Sequence, residues 1–302
     1  MSSNPRIAVI SHEIDEFENS GYLLNRLIAE WQARGIGIAV VKGTGQPLPP
    51  ADLAILHTDI TAVGDDYARI IDHYPKVING RVRDTSKSRF SRLIVGRGDA
   101  YRGPVIVKTD MNYGGMRELQ QRYLQGDMTS TITIQRPWRR VEWLEEYPIF
   151  NSPSEVPTGV WQNPNLVVEK FLPERNQAGE YLLRIWVFFG DREIYYQCVS
   201  NEPVVKSTNT LRRETLDLAG LPQSLRETRA RLGFDYGKFD FAVSDGGVAL
   251  YDVNRTPGFP RSGNESRSPP CPRCTSTAGS SRTPGKSSRS TSTARFSRQG
   301  SA

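Results

Sequence analysis

Lys238-Phe-Asp-Phe-Ala-Val-Ser-Asp-Gly-Gly-Val-Ala-Leu-Tyr-Asp-Val-Asn-Arg-Thr-Pro-Gly258 is the stretch on which the fold turns. It reads as two short strands, 239–243 and 248–253, joined by Ser244-Asp245-Gly246-Gly247. A turn of Asp and Gly between apolar runs is a hairpin signal, because Gly accepts the positive φ that tight hairpins demand. Side chains alternate across a strand, so Asp252 and Asn254 share a face, and a turn at 244–247 brings Asp240 opposite them. Three hard oxygen ligands then converge at one end of a small sheet. That set suits Mg²⁺ held jointly by carboxylates and a substrate phosphate. The plainer reading is that Asp252 and Asn254 end a strand and open the Thr-Pro-Gly turn.

Upstream, the run 181–189 is apolar except for Arg184, and Gly190-Asp191 turns it into a second strand at 193–199. An unpaired guanidinium is costly to bury, so Arg184 must meet an anion, either a ligand in an open cleft or a structural carboxylate. Before it, Leu166-Val-Val-Glu-Lys-Phe-Leu-Pro173 is a strand broken by its proline. Its end, Glu169 to Leu172, can offer backbone groups to an adenine edge, or be a plain strand. Further back, Val105-Ile-Val-Lys108 is a β-branched strand followed within six residues by Gly114-Gly115. A point charge on a rigid strand beside a pliable loop can meet an anion, although this is not the G-x-x-x-x-G-K-[ST] phosphate loop. Segment 79–98 is basic, and Asp84, Thr85 or Ser86 can cap a helix over about 86–95 with Lys87 in its first turn.

The N-terminal segment reads strand 6–10, helix 21–34 with Leu24, Ile28 and Trp31 on one side, strand 36–41 and strand 53–57. That succession opens a parallel α/β layer over about residues 1–80. His12 and Glu13 follow the first strand, where such sheets bind ligands and where solvated loops also occur. Between 116 and 165 the pattern gives a helix at 116–124, a strand at 131–134 and an irregular connection at 148–164. Cys198 falls inside an apolar strand and reads as a buried, inert thiol.

The chain has 302 residues and a formal charge of +6. Residues 261–302 carry seven Arg and one Lys against Glu265, so the first 260 residues carry about −1 and point to no charged partner. No secretory signal or membrane-length apolar run is visible, and the cytoplasm is the expected compartment. The last 42 residues, with twelve Ser and no periodicity, read as a disordered basic tail. Such a tail can contact nucleic acid phosphates. It departs so abruptly after Pro260 that an out-of-frame reading of a GC-rich gene is a second explanation. Cys271 and Cys274 form a single CxxC with no partner pair, too little for a zinc site.

Taken in order, Lys87, Lys108 with Gly114 and Gly115, the strand ending in Glu169-Lys-Phe-Leu-Pro-Glu174, Arg184, Asp240 and Asp252-x-Asn254-x-Thr-Pro-Gly258 form a succession that resembles the ATP-grasp superfamily, of the glutathione synthetase and carboxylate–amine ligase kind. The resemblance covers about residues 1–260. It implies an α/β and α+β fold in three parts: an N-terminal parallel α/β domain (1–80), a central lobe (81–165) and a C-terminal lobe (166–260) that clamp ATP, with 261–302 outside.

By that resemblance, Lys87 and Lys108 contact the nucleotide phosphates beneath a flexible lid at 112–115 that includes Gly114 and Gly115. Glu169, Lys170, Phe171 and Leu172 form the adenine hinge, and Glu174 or Glu180 holds the ribose. Asp240, Asp252 and Asn254 bind the metal, usually two Mg²⁺, with Mn²⁺ as a substitute. Lys238 faces the transferred phosphoryl group and Arg184 binds the acceptor. Asp252 stands where many relatives have Glu, and the lid is short and carries Tyr113.

The reaction implied joins a small-molecule carboxylate to an amine or thiol through an acyl phosphate. Phosphorylation of a hydroxyl is the alternative within the same superfamily, and a nucleic-acid-associated protein acting through its tail is the alternative outside it. The resemblance implies neither a membrane nor a specific nucleic acid as partner.

Overall fold

The computed structural model describes residues 4–126, 137–244 and 246–258. The expected strand at 131–134, Asp245 of the hairpin turn and the basic tail with its CxxC lie outside them.

The first sheet holds β1 (Arg6–Ser11), β2 (Gly37–Lys42), β3 (Leu53–Leu56) and β4 (Val77–Ile78), all parallel in the order β2-β1-β3-β4. Parallel sheets are covered on both faces, and alternation sorts their apolar runs accordingly. Ala8 and Ile10 pack toward α2 (Asp66–His73) through Tyr67 and Ile70. Ile7 and Val9 pack toward α1 (Leu23–Ala33) through Leu24 and Ile28.

The second sheet holds β5 (Val105–Thr109), β6 (Ile149–Phe150) and β7 (Leu166–Lys170), antiparallel in the order β6-β5-β7. Since β7 pairs with β5 along its whole length, a lobe boundary at 165/166 would cut this sheet. Three helices accompany it: α3 (Lys87–Phe90), α4 (Met116–Leu124) and α5 (Thr158–Trp161). The helix expected over 86–95 is thus a single turn. Ser91 is extended, and its side chain turns to Glu169. The connection 148–164 is not wholly irregular, since it contains β6, a 3₁₀ turn at Pro153–Glu155 and α5.

The third sheet has six strands: β8 (Glu174–Arg175), β9 (Tyr181–Phe189), β10 (Arg192–Ser200), β11 (Arg212–Thr215), β12 (Tyr236–Ser244) and β13 (Gly247–Asn254). Their order is β11-β10-β9-β12-β13, with β8 beside β9, and every pairing is antiparallel. One face carries Trp186, Phe188, Phe239 and Phe241, fully buried beneath Leu225 of α6 (Gln223–Leu232), Phe234 and Phe90. Their rings meet edge-on or tilted at centroid separations such as 4.6 Å for Trp186–Phe188 and 5.2 Å for Phe188–Phe239. These are the geometries that aromatic quadrupoles favour. Cys198 is buried and free, as its apolar surroundings predict.

The first and third sheets are tied by Asn79, a non-glycine residue at φ +60°. Its side chain donates to the Tyr236 carbonyl at 2.8 Å and accepts from the Asp235 and Tyr236 amides at 3.0 Å each. Asn tolerates this left-handed conformation better than other residues with a Cβ, and here its amide satisfies three backbone groups. The chain after β13 returns to α1, where the Leu23 amide donates to the Pro257 carbonyl at 2.9 Å.

Candidate active site

Directly opposite residues of an antiparallel pair share a face. Asp240 lies opposite Asp252, and Lys238 opposite Asn254. The register slips between Asp240 and Phe241, where Phe241 pairs with Leu250, leaving Tyr251 as the extra residue of a β-bulge. A bulge lets neighbouring residues face the same way. Tyr251 follows Ala249, which is paired with Ala242, and so joins Asp240, Asp252, Asn254 and Lys238 on the face opposite the aromatic core.

The second sheet brings its own charges to this face. Ile106 pairs with Glu169, so Lys108, two residues on, shares their face while Val105, Val107 and Val168 pack on the other. Lys108 Nζ lies 2.8 Å from Glu169 Oε2 and 5.1 Å from the centre of the Tyr251 ring. Glu169 is fully buried and also accepts from the Ser91 hydroxyl. Lys87 reaches in from α3, whose start is fixed by the Lys87 amide on the Asp110 carbonyl at 3.0 Å and by the Ser88 amide and hydroxyl on the Asp110 carboxylate. Its ammonium donates to the Met111 carbonyl at 3.0 Å and stands 3.9 Å from Asp252 Oδ1.

The electrostatics follow from this crowding. Burial pulls the Lys87 ammonium below the usual lysine range; the Asp252 charge opposes that fall and the Lys108 charge adds to it. Burial likewise raises the Asp252 carboxyl, opposed by Lys87 and reinforced by Asp240. Each group is pushed toward neutrality because the other, alone, incompletely repays lost hydration. Lys238 goes the other way. Burial lowers it, but the Asp240 charge, a hydrogen bond to Asp240 Oδ2 at 2.8 Å and the Asp252 charge together leave it raised.

Several expected site residues do other work. Arg184 pairs across β12 with Phe241 and so lies on the aromatic-core face, away from Asp240. Its guanidinium forms a forked pair with Glu174 at 2.6–3.0 Å and a hydrogen bond to the Tyr195 hydroxyl at 2.8 Å. The anion it meets in this structure is the structural carboxylate, one of the two partners its sequence context left open. The same pair occupies Glu174, which also accepts from the Val243 amide at 2.7 Å, and Glu180 is held by Arg212 at 2.7 Å. Neither carboxylate expected at a ribose is free.

In the strand expected as an adenine hinge, the Lys170 and Phe171 amides donate to the Leu93 and Pro104 carbonyls at 2.8 Å each. The Leu172 carbonyl accepts from the Tyr251 hydroxyl at 2.6 Å, and Lys170 lies over the Tyr101 ring. Most of the backbone groups meant to read a base edge are therefore committed within the chain.

Gly114 and Gly115 are buried rather than forming an open lid. They sit at φ +67° and +84°, and a Cβ would stand 2.7 Å from the Leu144 carbonyl oxygen and 2.6 Å from that of Glu142. Close approach of two backbones, together with left-handed φ, accounts for both glycines. Beside them Tyr113 holds φ +48° and is 64% exposed.

A divalent cation fits the donor set. Asp240 Oδ1 is buried with no hydrogen-bond partner, and all nearby donors to a metal are oxygens, the preference of Mg²⁺. Among the described residues no three His, Cys, Asp or Glu side chains cluster as a metal site. Asp240 and Asp252 would therefore share the ion with ligand oxygens. Asn254 contributes less than expected, because its Oδ1 already accepts from the Thr256 amide at 2.6 Å and hydroxyl at 3.0 Å. It does open the Thr-Pro-Gly turn, the plainer of its two readings.

Sequence reasoning missed three residues. Tyr251 sits in the quoted hairpin, but only the bulge turns it toward the site. The Tyr147 hydroxyl is raised to about 12 by burial first and then by the charges of Asp252 and Glu169. Arg213 lies opposite Cys198, which follows from the register to share the face of Tyr196, Ile185 and Asp240. Arg213 is exposed and makes no hydrogen bond or ion pair with the described residues.

No family model matches the sequence, and no curated protein matches it. Among solved structures, the chain is similar to the ATP-grasp ligase PsnB, solved with a phosphomimetic variant of its minimal precursor, Mg and ADP (12% identity, 84% of this chain and 91% of that one, TM-score 0.48). It is also similar to D-alanyl-alanine synthetase A from Vibrio cholerae (9%, 86% and 91%, TM-score 0.47) and to a RimK domain ATP-grasp protein from Sphaerobacter thermophilus (14%, 83% and 91%, TM-score 0.44). No described helix is long and apolar enough to cross a membrane.

Proposed function

We propose that this chain is an ATP-grasp enzyme that activates a carboxylate with ATP and passes the acyl group to a nucleophile, an amine before a thiol. The observation that carries this reading is the meeting of Lys87, Lys108 and Lys238 with Asp240 and Asp252, from two sheets and a separate helix, on facing surfaces. Three ammonium groups in one charged cluster suit a polyphosphate, and a facing carboxylate pair suits the cation that accompanies it.

In this reading Lys87 and Lys108 hold nucleotide phosphates. An arriving phosphate favours the charged form of Lys87, which burial disfavours in the free protein, so binding and protonation reinforce one another. Mg²⁺, held by Asp240 and Asp252 with phosphate oxygens, would neutralise phosphate charge when bound. Lys238, kept cationic by Asp240, faces the group in transfer. Arg213, on the same face and without an ion-pair partner among the described residues, meets the substrate carboxylate, an assignment that favours a ligase over a hydroxyl kinase.

One carboxylate oxygen attacks the γ-phosphorus, the bond to the β-phosphate oxygen breaks, and ADP and an acyl phosphate result. The neutral amine then attacks the acyl carbon, the bond from that carbon to the phosphate oxygen breaks, and inorganic phosphate leaves while the amine's extra proton passes to it or to solvent. The protein positions and screens charge, and no side-chain nucleophile is required.

Calorimetric titration of the full chain with ATP, with and without Mg²⁺, tests the reading. Saturable binding that strengthens with Mg²⁺ and weakens in Lys108→Ala supports it. Absence of binding by folded protein would end it.

A further inference from the structure

A β-bulge interrupts a ladder and re-aims a side chain. In the β12–β13 hairpin the residue so re-aimed is Tyr251, left over between Leu250, opposite Phe241, and Asp252, opposite Asp240. Its ring packs with Leu93, Leu172, Ala242 and Ala249. Its hydroxyl donates to the Leu172 carbonyl at 2.6 Å, two residues beyond the end of β7. One side chain thus crosses from the third sheet to a strand of the second. The hydrogen bond fixes the far end of the ring and so the direction in which its face looks.

Over that face stands Lys108, its Nζ 5.1 Å from the ring centre. Glu169 supplies the opposite charge at 2.8 Å, yet its Oε2 takes part in no hydrogen bond among the described residues. The carboxylate therefore attracts the ammonium without aiming it, and both groups belong to the second sheet. The ring supplies what the carboxylate does not, a contact from the opposing sheet. The Lys108 side chain is 9% exposed, and a cation over an aromatic face gains most where water is excluded.

We propose that Tyr251 is a positioning residue that holds Lys108 in place for the nucleotide phosphates. Asp252 is the next residue along the same strand, so the bulge links the cation of one sheet to the carboxylate of the other at a fixed spacing. A polyphosphate and its cation need that spacing set before they arrive, because ordering it afterwards costs binding energy. The role toward phosphates rests on the ATP reading; the hold of the ring on Lys108 does not.

NMR of the full chain carrying ¹³C-labelled lysine, with calorimetry of ATP and Mg²⁺ binding, tests it. The Lys108 ε-methylene signal, assigned by its loss in Lys108→Arg, should be shifted upfield by the ring in wild type. Tyr251→Phe keeps the ring and should keep the shift and most of the ATP affinity. Tyr251→Leu should lose the shift and bind ATP about tenfold more weakly. In a Lys108→Met background the same change should cost nothing further, since a residue that acts through Lys108 has nothing left to position. An unshifted wild-type signal, or a shift that survives in Tyr251→Leu, overturns the proposal. So does an equal loss of ATP affinity with and without Lys108, which is what a merely structural tyrosine would give. If wild type binds no ATP, the proposed function fails and the lysine signal alone decides whether Tyr251 holds Lys108.

Discussion

The two faces of the six-stranded sheet are built from the same strands and differ by one residue of register. On one, Phe239 and Phe241 join Trp186 and Phe188 in a dry aromatic layer. On the other stand Lys238, Asp240 and Asp252, with Lys87 3.9 Å from Asp252. Each face also holds an arginine. Arg184, on the aromatic side, is fully answered by Glu174 and Tyr195, whereas Arg213, on the charged side, is answered by nothing described. A buried structural cation must be paired, while one awaiting a ligand need not be.

That contrast predicts separable failures. Asp252→Ala removes half of the facing carboxylate pair and should lower ATP turnover roughly 10²–10³-fold, with ATP binding weakened far less, since charge neutralisation matters most at the transition state. ADP release beside calorimetry reads both quantities. Phe239→Ala, one position from Asp240 and on the opposite face, should cost about 3–5 kcal/mol of stability by denaturant titration, because it empties a fully buried ring site ringed by Trp186, Phe188 and Phe234. Turnover per folded molecule should survive it. If Asp252→Ala unfolds the protein and Phe239→Ala abolishes turnover, the division between the faces is wrong.

The hairpin was legible because everything that specifies it is local: alternation, a Gly-rich turn and charged positions two apart. The N-terminal parallel layer was legible for the same reason, with the helix expected at 21–34 observed at Leu23–Ala33. Arg184 was not, because its face depends on pairing with β12, some 57 residues later in the chain, and its partner Glu174 comes from another strand. Gly114 and Gly115 were legible only in part, because glycine serves both mobility and close backbone approach, and the second shows only once the Leu144 and Glu142 carbonyls are in place. Tyr147 gave no signal, since it arrives on a segment without periodicity.

The N-terminal layer carries a comparison of its own at the far ends of β1 and β3. The Tyr22 hydroxyl lies 2.9 Å from both Asp15 Oδ1 and Asp59 Oδ2. It has one hydrogen, so two ionised carboxylates cannot both accept it. Asp59 also accepts from Arg117 and Thr256 at 2.8 Å each, while the second oxygen of Asp15 is buried without a partner among the described residues. Burial first, then the Asp59 charge, raises Asp15 to about 6. A carboxyl whose pKa rises on folding stabilises the protein below its unfolded value near 3.8, and this contribution is lost as pH climbs through about 6. Asp15→Asn, a mimic of the protonated acid, should therefore gain on the order of 2–3 kcal/mol over wild type above pH 6. The gain should vanish below about pH 4. A pH-independent difference in unfolding free energy would mean that Asp15 carries no such proton.

The smallest effects decide between the arginines. Glu174→Gln should cost about 2 kcal/mol of stability, moderated by the partial exposure of Arg184, because it leaves that guanidinium with Tyr195 and a neutral amide. It should leave the KM of whichever carboxylate supports ADP release unchanged. Arg213→Ala should do the reverse: little change in stability, since the side chain is exposed and has no ion-pair partner among the described residues, and a rise of about tenfold in that KM. A matched rise in KM for both variants would return Arg184 to the acceptor site and require the sheet to present its substrate through the aromatic face. A KM effect confined to Arg213→Ala places the carboxylate over β11 and β10, on the face the hairpin already charges.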